Sequence, residues 1–215
     1  MNKIIPGQFI TVEGTEGVGK STNMAFIEKW LTDAGKELVI TREPGGTKLG
    51  EDLRELLLGH KHTGMADDTE LLLMFAARAE HLNQKIIPAL NQGKWVLCDR
   101  FTDATFAYQG GGRGINTTRI AALEQWVQGD LRPDLTLLLD LSVEIGLDRA
   151  KKRSEPDRFE VEKIRFFEDV RSAYLNIAKS NPERVKTIDA SKPLSEVQLQ
   201  IKFVIEQFIN DHNAN

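Results

Sequence analysis

The residues best suited to chemistry stand together at Gly14-Thr15-Glu16-Gly17-Val18-Gly19-Lys20-Ser21. Glycines at this spacing let successive backbone N–H groups turn inward on a polyanion, and a helix N-terminus adds its partial positive charge. Lys20 then reaches the β- and γ-phosphates of a nucleotide, and the Ser21 hydroxyl takes a magnesium position. The bland alternative is a glycine turn with a surface lysine. Against it stands the context: the β-branched run Phe9-Ile10-Thr11-Val12-Glu13 precedes the loop and a helix-compatible Asn23 to Leu31 follows. Strand, glycine loop and helix specify a nucleoside triphosphate but leave the reaction open.

Other chemistry-bearing residues follow in order. Arg42-Glu43-Pro44-Gly45-Gly46-Thr47 can continue neither strand nor helix, so it forms a loop at a strand's C-terminal end, the edge where ligands sit in open α/β sheets. Phe75 and Arg78 share a helix face and could present an aromatic plane beside a guanidinium fork, or be a core ring beside a surface charge. Asp99-Arg100 closes the apolar run Trp95 to Cys98, placing an acid for magnesium and a base for phosphate. Gly110-Gly111-Gly112 marks a break or a close backbone approach. Arg149, Lys151, Lys152, Arg153 and Arg158, interrupted at Ser154 to Asp157, suit a lid closing over phosphates or merely a solvated face.

These residues need a scaffold, and the pattern supplies one. Strand-like runs at Phe9–Glu13, Leu38–Thr41, Trp95–Arg100, Leu135–Asp140 and Arg184–Asp189 alternate with helical segments, among them one capped by Thr69 and others at about Val161–Ala178 and Leu194–Ile209. The expectation is an α/β P-loop NTPase fold: a five-stranded parallel sheet with helices on both faces and a helical lid. No linker divides the 215 residues, so residues 1–215 form one domain with the lid at about 149–160. A 40% hydrophobic, 28% charged composition is that of an ordinary globule, for which disorder is not the default, and a net charge of −4 argues against a general nucleic-acid binder. No apolar run approaches the ~20 residues of a membrane span and no signal-peptide core precedes the first strand, so a cytoplasmic protein is expected. The single Cys98 forms no intrachain disulfide, and the four histidines lack zinc spacing.

Taken together, Glu13 with the phosphate loop, Arg42 to Thr47, Phe75-Ala76-Ala77-Arg78, Asp99-Arg100-Phe101 and Tyr108-Gln109-Gly110-Gly111-Gly112-Arg113 resemble bacterial thymidylate kinase along nearly the whole chain. The resemblance implies transfer of the γ-phosphoryl group of ATP to dTMP with Mg2+, by a cytoplasmic homodimer without nucleic-acid or membrane partners. On this reading Gly14, Thr15, Glu16, Gly17, Val18, Gly19, Lys20, Ser21, Thr22 and Arg149 hold ATP. Phe75 stacks on the thymine, Arg78 bonds its edge, Thr105 and Gln109 complete the base pocket, and Tyr108 lies against the deoxyribose. Arg54 and Arg100 hold the dTMP phosphate, Glu13 stands near the acceptor and metal, and Ser21 and Asp99 ligate magnesium. Family members with an arginine inside the phosphate loop carry it just ahead of the position of Val18; Glu16-Gly17-Val18 has no base, which resembles the subtype whose catalytic arginine comes from the lid. Lys20, Arg100, Arg153 and Glu13 are then the catalytic set, with Arg158 a second candidate for the lid base.

Three rivals differ in chemistry. A deoxynucleoside kinase needs no site for an acceptor phosphate, which Arg54 and Arg100 would provide. A regulatory GTPase needs an Asn-Lys-x-Asp motif that the sequence lacks. A nucleic-acid-dependent ATPase has only the basic lid in its favour.

Overall fold

The computed structural model describes residues 7–152 and 157–213. Its five strands, β1 (Phe9–Glu13), β2 (Leu38–Arg42), β3 (Trp95–Asp99), β4 (Leu135–Asp140) and β5 (Val185–Asp189), form a parallel sheet in the order β2-β3-β1-β4-β5. Chain order explains where a ligand must go. From β1 the chain crosses to β2 on one side, then returns past β1 to β4 on the other. The sheet therefore has its switch point at β1, and the crevice lies beyond the strands' C-terminal ends. Register brings the relevant loops level there, with Val12 beside Asp99 and Arg42 beside Asp99.

Helices cover both faces, as the near-continuous burial of β1, β3 and β4 requires. Side chains alternate across β1: Ile10 and Val12 join Ile27 and Leu31 of α1 (Lys20–Asp33), while Phe9 packs on the opposite side with Val96, Cys98 and Phe101. Next come α2 (Lys48–Leu58) and α3 (Asp67–His81), the latter continuing through a π-helical turn at Leu82–Ile86 into α4 (Ile87–Asn91). α3 starts at Asp67 with Ala66 as N-cap, ahead of the expected Thr69, because Asp67, Asp68 and Glu70 supply first-turn negative charge to the helix dipole.

After β3, the short α5 (Thr102–Thr105) runs into a π-helical turn at Phe106–Gly112, followed by α6 (Thr117–Gln128). The triple glycine is thus a close approach and not a break. A Cβ on Gly111 would lie 2.7 Å from that of Ala173, and one on Gly112 would enter the Phe166 ring. Both partners belong to α8 (Ile164–Ser180), which starts three residues later than its sequence pattern suggests. Between β4 and α8 lies α7 (Val143–Lys151), and α9 (Leu194–Asn213) closes the chain. The expected lid base Arg153, with Ser154 to Pro156, lies outside the described residues. Among the described residues, no helix is long and apolar enough to cross a membrane.

Candidate active site

A cavity of about 490 Å³ opens at the C-terminal edge of the sheet. Its floor is the loop between β1 and α1, which needs glycine for two separate reasons. Gly14, Gly17 and Gly19 adopt φ of 136°, 69° and 92°, a region that side chains avoid, and a Cβ on Gly17 would collide with the Gly146 backbone of α7. Residues Glu16 to Thr22 line the cavity, as does Arg149. Gly14 and Thr15, expected to hold ATP, do not line it, and their carbonyls accept the Lys20 ammonium at 3.0 and 2.9 Å. Burial, then the neighbouring Arg100 charge, lowers the Lys20 pKa to about 8.

The second wall is the turn after β3. Arg100 is the one non-glycine residue with positive φ, 68°, among the described residues. Such a conformation costs about 1–2 kcal/mol and persists only where surrounding bonds impose it. Here the Glu13 carboxylate accepts the Phe101 N–H at 2.7 Å and the Tyr174 hydroxyl at 2.7 Å. Arg100 donates to the Tyr174 oxygen at 3.2 Å and to Glu16 at 3.0 Å, while Tyr108 donates to Glu16 at 2.7 Å with its ring 4.7 Å from the Arg100 guanidinium.

Two acids therefore exchange the places expected of them. Glu13 is fully buried and does not line the cavity; burial first, and the Asp103 charge second, push its pKa up to about 8. Its carboxylate is consumed in building the turn, so it does not face an acceptor. Glu16, expected only on the triphosphate side, lines the cavity and holds Arg100 and Tyr108. No spacing rule announces this, because the partners are 84 and 92 positions away.

α3 and the turn after α5 form the third wall. Arg78 is 2% exposed: its Nε donates to Glu43 at 2.7 Å and one Nη to Thr105 at 3.0 Å. His81 bonds the other Glu43 oxygen at 3.0 Å, and Phe75 and Phe101 flank the guanidinium at 4.8 and 5.1 Å. Nη1 of Arg78 has no partner among the described residues although Arg78 lines the cavity, so it is a donor available to a ligand. Thr105, Tyr108 and Gln109 line the same space. Phe75 does not: its ring packs with Leu71, Ile115 and Ile120, and it is the neighbouring Met74 that reaches the cavity alongside Arg78. Residues three and four before Arg78 both share its face, and packing of α3 against α6 turns the phenylalanine inward.

Arg54 of α2 also lines the cavity, donating to the Pro44 carbonyl at 2.9 Å; burial, then the Arg42 charge, lowers its pKa. Arg158 does not line it. That side chain is 6% exposed, donating to the Leu57 carbonyl at 2.6 Å and to Glu70 at 2.5 Å, so it fastens the foot of the lid to α2 and α3.

A cation site is also recognisable. Asp99 Oδ1 is buried without a hydrogen-bond partner among the described residues, and Asp99 lines the cavity with Ser21. No group of three or more His, Cys, Asp or Glu side chains suited to a metal occurs among the described residues. One carboxylate and one hydroxyl completed by substrate phosphates are the donors magnesium uses, and the residues fit it.

Comparison with known proteins agrees with this geometry. The family model described as thymidylate kinase matches residues 12–201. The chain is 58% identical over 203 residues to a thymidylate kinase of Pseudomonas syringae pv. tomato, covering 94% of this chain and 97% of that protein. To one of Nitrosomonas europaea it is 53% identical over 205 residues, 95% of each. The crystal structure of thymidylate kinase from Ehrlichia chaffeensis superposes with a TM-score of 0.77 at 35% identity, covering 94% of this chain and all of that one.

Proposed function

The chain belongs to the thymidylate kinase family, and we propose that its cavity seats ATP on the phosphate loop and dTMP between α3 and the Arg100 turn. It is a nucleoside monophosphate kinase: ATP and dTMP give ADP and dTDP, a step in dTTP synthesis. Phosphoryl transfer involves little covalent work by the protein, so catalysis is positioning plus neutralisation of charge. The difficulty is bringing two polyanions together.

Lys20 and the loop N–H groups take the transferring end of ATP. Arg100 and Arg54 hold the dTMP phosphate, Arg100 being preset by Glu13, Glu16 and Tyr174. Asp99 and Ser21 would hold magnesium, which when bound supplies Lewis-acid neutralisation of phosphate charge. Arg78, Thr105 and Gln109 read the base, Met74 covers it, and Tyr108 borders the sugar. Glu16, inside the loop, leaves no base over the transferring group, so the lid's Arg153 fills that gap, with Arg149 at the nucleotide's outer end. Family membership supports a cytoplasmic homodimer.

The observation that carries this assignment is the convergence of Arg54, Arg100 and the phosphate loop on one cavity containing an unpartnered Asp99 oxygen. Arg54→Ala should raise the KM for dTMP by about 10-fold or more with the KM for ATP nearly unchanged, since a charge-assisted hydrogen bond is worth about 1.5–3 kcal/mol. Equal weakening of both substrates would remove Arg54 from the acceptor site.

A further inference from the structure

Glu70, on α3, is fully buried and takes donors from three parts of the chain. Oε1 accepts the Gln109 amide nitrogen at 2.8 Å, Oε2 accepts Arg158 at 2.5 Å, and Arg113 approaches each oxygen at 3.4 Å. We propose that Glu70 helps set which base the site accepts, by fixing the direction of the Gln109 side-chain amide. The inference rests on the dTMP reading above and deepens it.

A carboxylate paired with two guanidinium groups offers only acceptors. Gln109, itself 1% exposed, must therefore turn its NH2 toward Glu70, because the reversed amide would set a carbonyl oxygen against a carboxylate oxygen. With its NH2 held on Glu70, Gln109 has its carbonyl, an acceptor, as the end turned away from the carboxylate. Arg78 lines the same cavity and contributes the unpartnered Nη1, a donor.

One fixed donor and one fixed acceptor on residues lining one cavity match the O4 and N3–H of thymine. Cytosine presents the reverse at both positions, an amino donor and an unprotonated N3. An amide free to rotate could turn its NH2 to serve the cytosine N3. Held by Glu70, it cannot, and the selectivity becomes a property of a residue that need not touch the base.

The test compares kcat/KM for dTMP and dCMP in the unmodified enzyme and in Glu70→Gln, whose side chain accepts either end of Gln109. The dTMP-to-dCMP ratio is expected to fall by about 10-fold or more, because rejection by a buried polar group depends on that group's fixed orientation. A purely structural Glu70 would lower both substrates in parallel, and an unchanged ratio overturns the proposal. Should Glu70→Gln fail to show a cooperative melting transition, Gln109→Leu gives the answer: the same loss of ratio is expected, and an undiminished ratio overturns the role of the amide. Absence of dTDP from the unmodified enzyme would overturn the dTMP reading itself, whereas dTDP formation with an unchanged variant ratio overturns only this inference.

Discussion

The Glu13 carboxylate accepts the backbone N–H of Phe101 at 2.7 Å, tying the end of the central strand to the turn on which Arg100 stands at φ 68°. A buried acid thereby fixes the direction of the arginine proposed to hold the acceptor phosphate. Glu13→Ala leaves that N–H unsatisfied, at about 1–3 kcal/mol, and frees the turn. The expected result is a kcat/KM for dTMP lowered by about 10-fold or more, whereas Glu13→Gln, which keeps an acceptor, stays close to the unmodified enzyme. Equal loss in both variants would mean that the charge of Glu13, not its acceptor, matters.

The same residue predicts a pH dependence of stability. Its pKa rises from 4.5 to about 8 on folding, so across that window the folded chain holds a proton that the unfolded chain has released. Its contribution to stability is therefore fully present at the acid end and lost as pH rises through about 8. Melting temperatures of Glu13→Gln across this range should decline less steeply than those of the unmodified protein. Parallel profiles would contradict a neutral, buried Glu13.

Lys20 yields a test of nucleotide contact. With its pKa lowered from 10.5 to about 8, it is partly deprotonated near that pH, and a triphosphate beside it must draw a proton back. Calorimetric titration of ATP at about pH 8, in buffers of different ionisation enthalpy, should register uptake of about half a proton per nucleotide. Lys20→Met should abolish the uptake. An unmodified protein that takes up none would remove Lys20 from the phosphates.

The two lid arginines should fail in different ways. Arg158→Ala takes from the buried Glu70 the nearer of its two guanidinium partners, leaving Arg113 at 3.4 Å, and removes the donor to the Leu57 carbonyl, at about 1–3 kcal/mol for each group left short of a partner. A large drop in melting temperature is expected. Arg153→Ala should leave the melting temperature alone and lower kcat by about 10²-fold with the dTMP KM nearly unchanged, because a lid charge acts mainly in the transition state. Unchanged turnover without Arg153 would place the missing charge elsewhere.

Met74 and Phe75 should separate likewise. Phe75→Ala opens the cluster with Leu71, Ile115 and Ile120, a change worth about 3–5 kcal/mol of stability. Met74→Ala should raise the dTMP KM with little loss of stability. The opposite pattern would return the base-covering role to Phe75.

The phosphate loop and the Asp99-Arg100 turn were legible because each is a run of neighbours whose backbone does the work, and the apolar β1, β3 and β4 fixed the sheet around them. Helical spacing placed Arg78 but assigned the base-covering role to Phe75 and passed over Met74, since both lie on its face and only packing against α6 sets the rotation of α3. The links that orient the site were invisible for a different reason. Tyr174 meets Glu13 across 161 positions and Arg158 meets Glu70 across 88, and both acids are buried at sites whose polar partners come from elements far away in the chain. Glu13 consequently read as a functional acid facing substrate, and Glu70 did not stand out at all.

The most direct measurement incubates the protein with ATP, magnesium and, separately, dTMP, dCMP, dGMP and AMP, following formation of each diphosphate. The account predicts dTDP formed with a kcat/KM well above that of every other acceptor. Turnover of dTMP no faster than that of dCMP or AMP would contradict it.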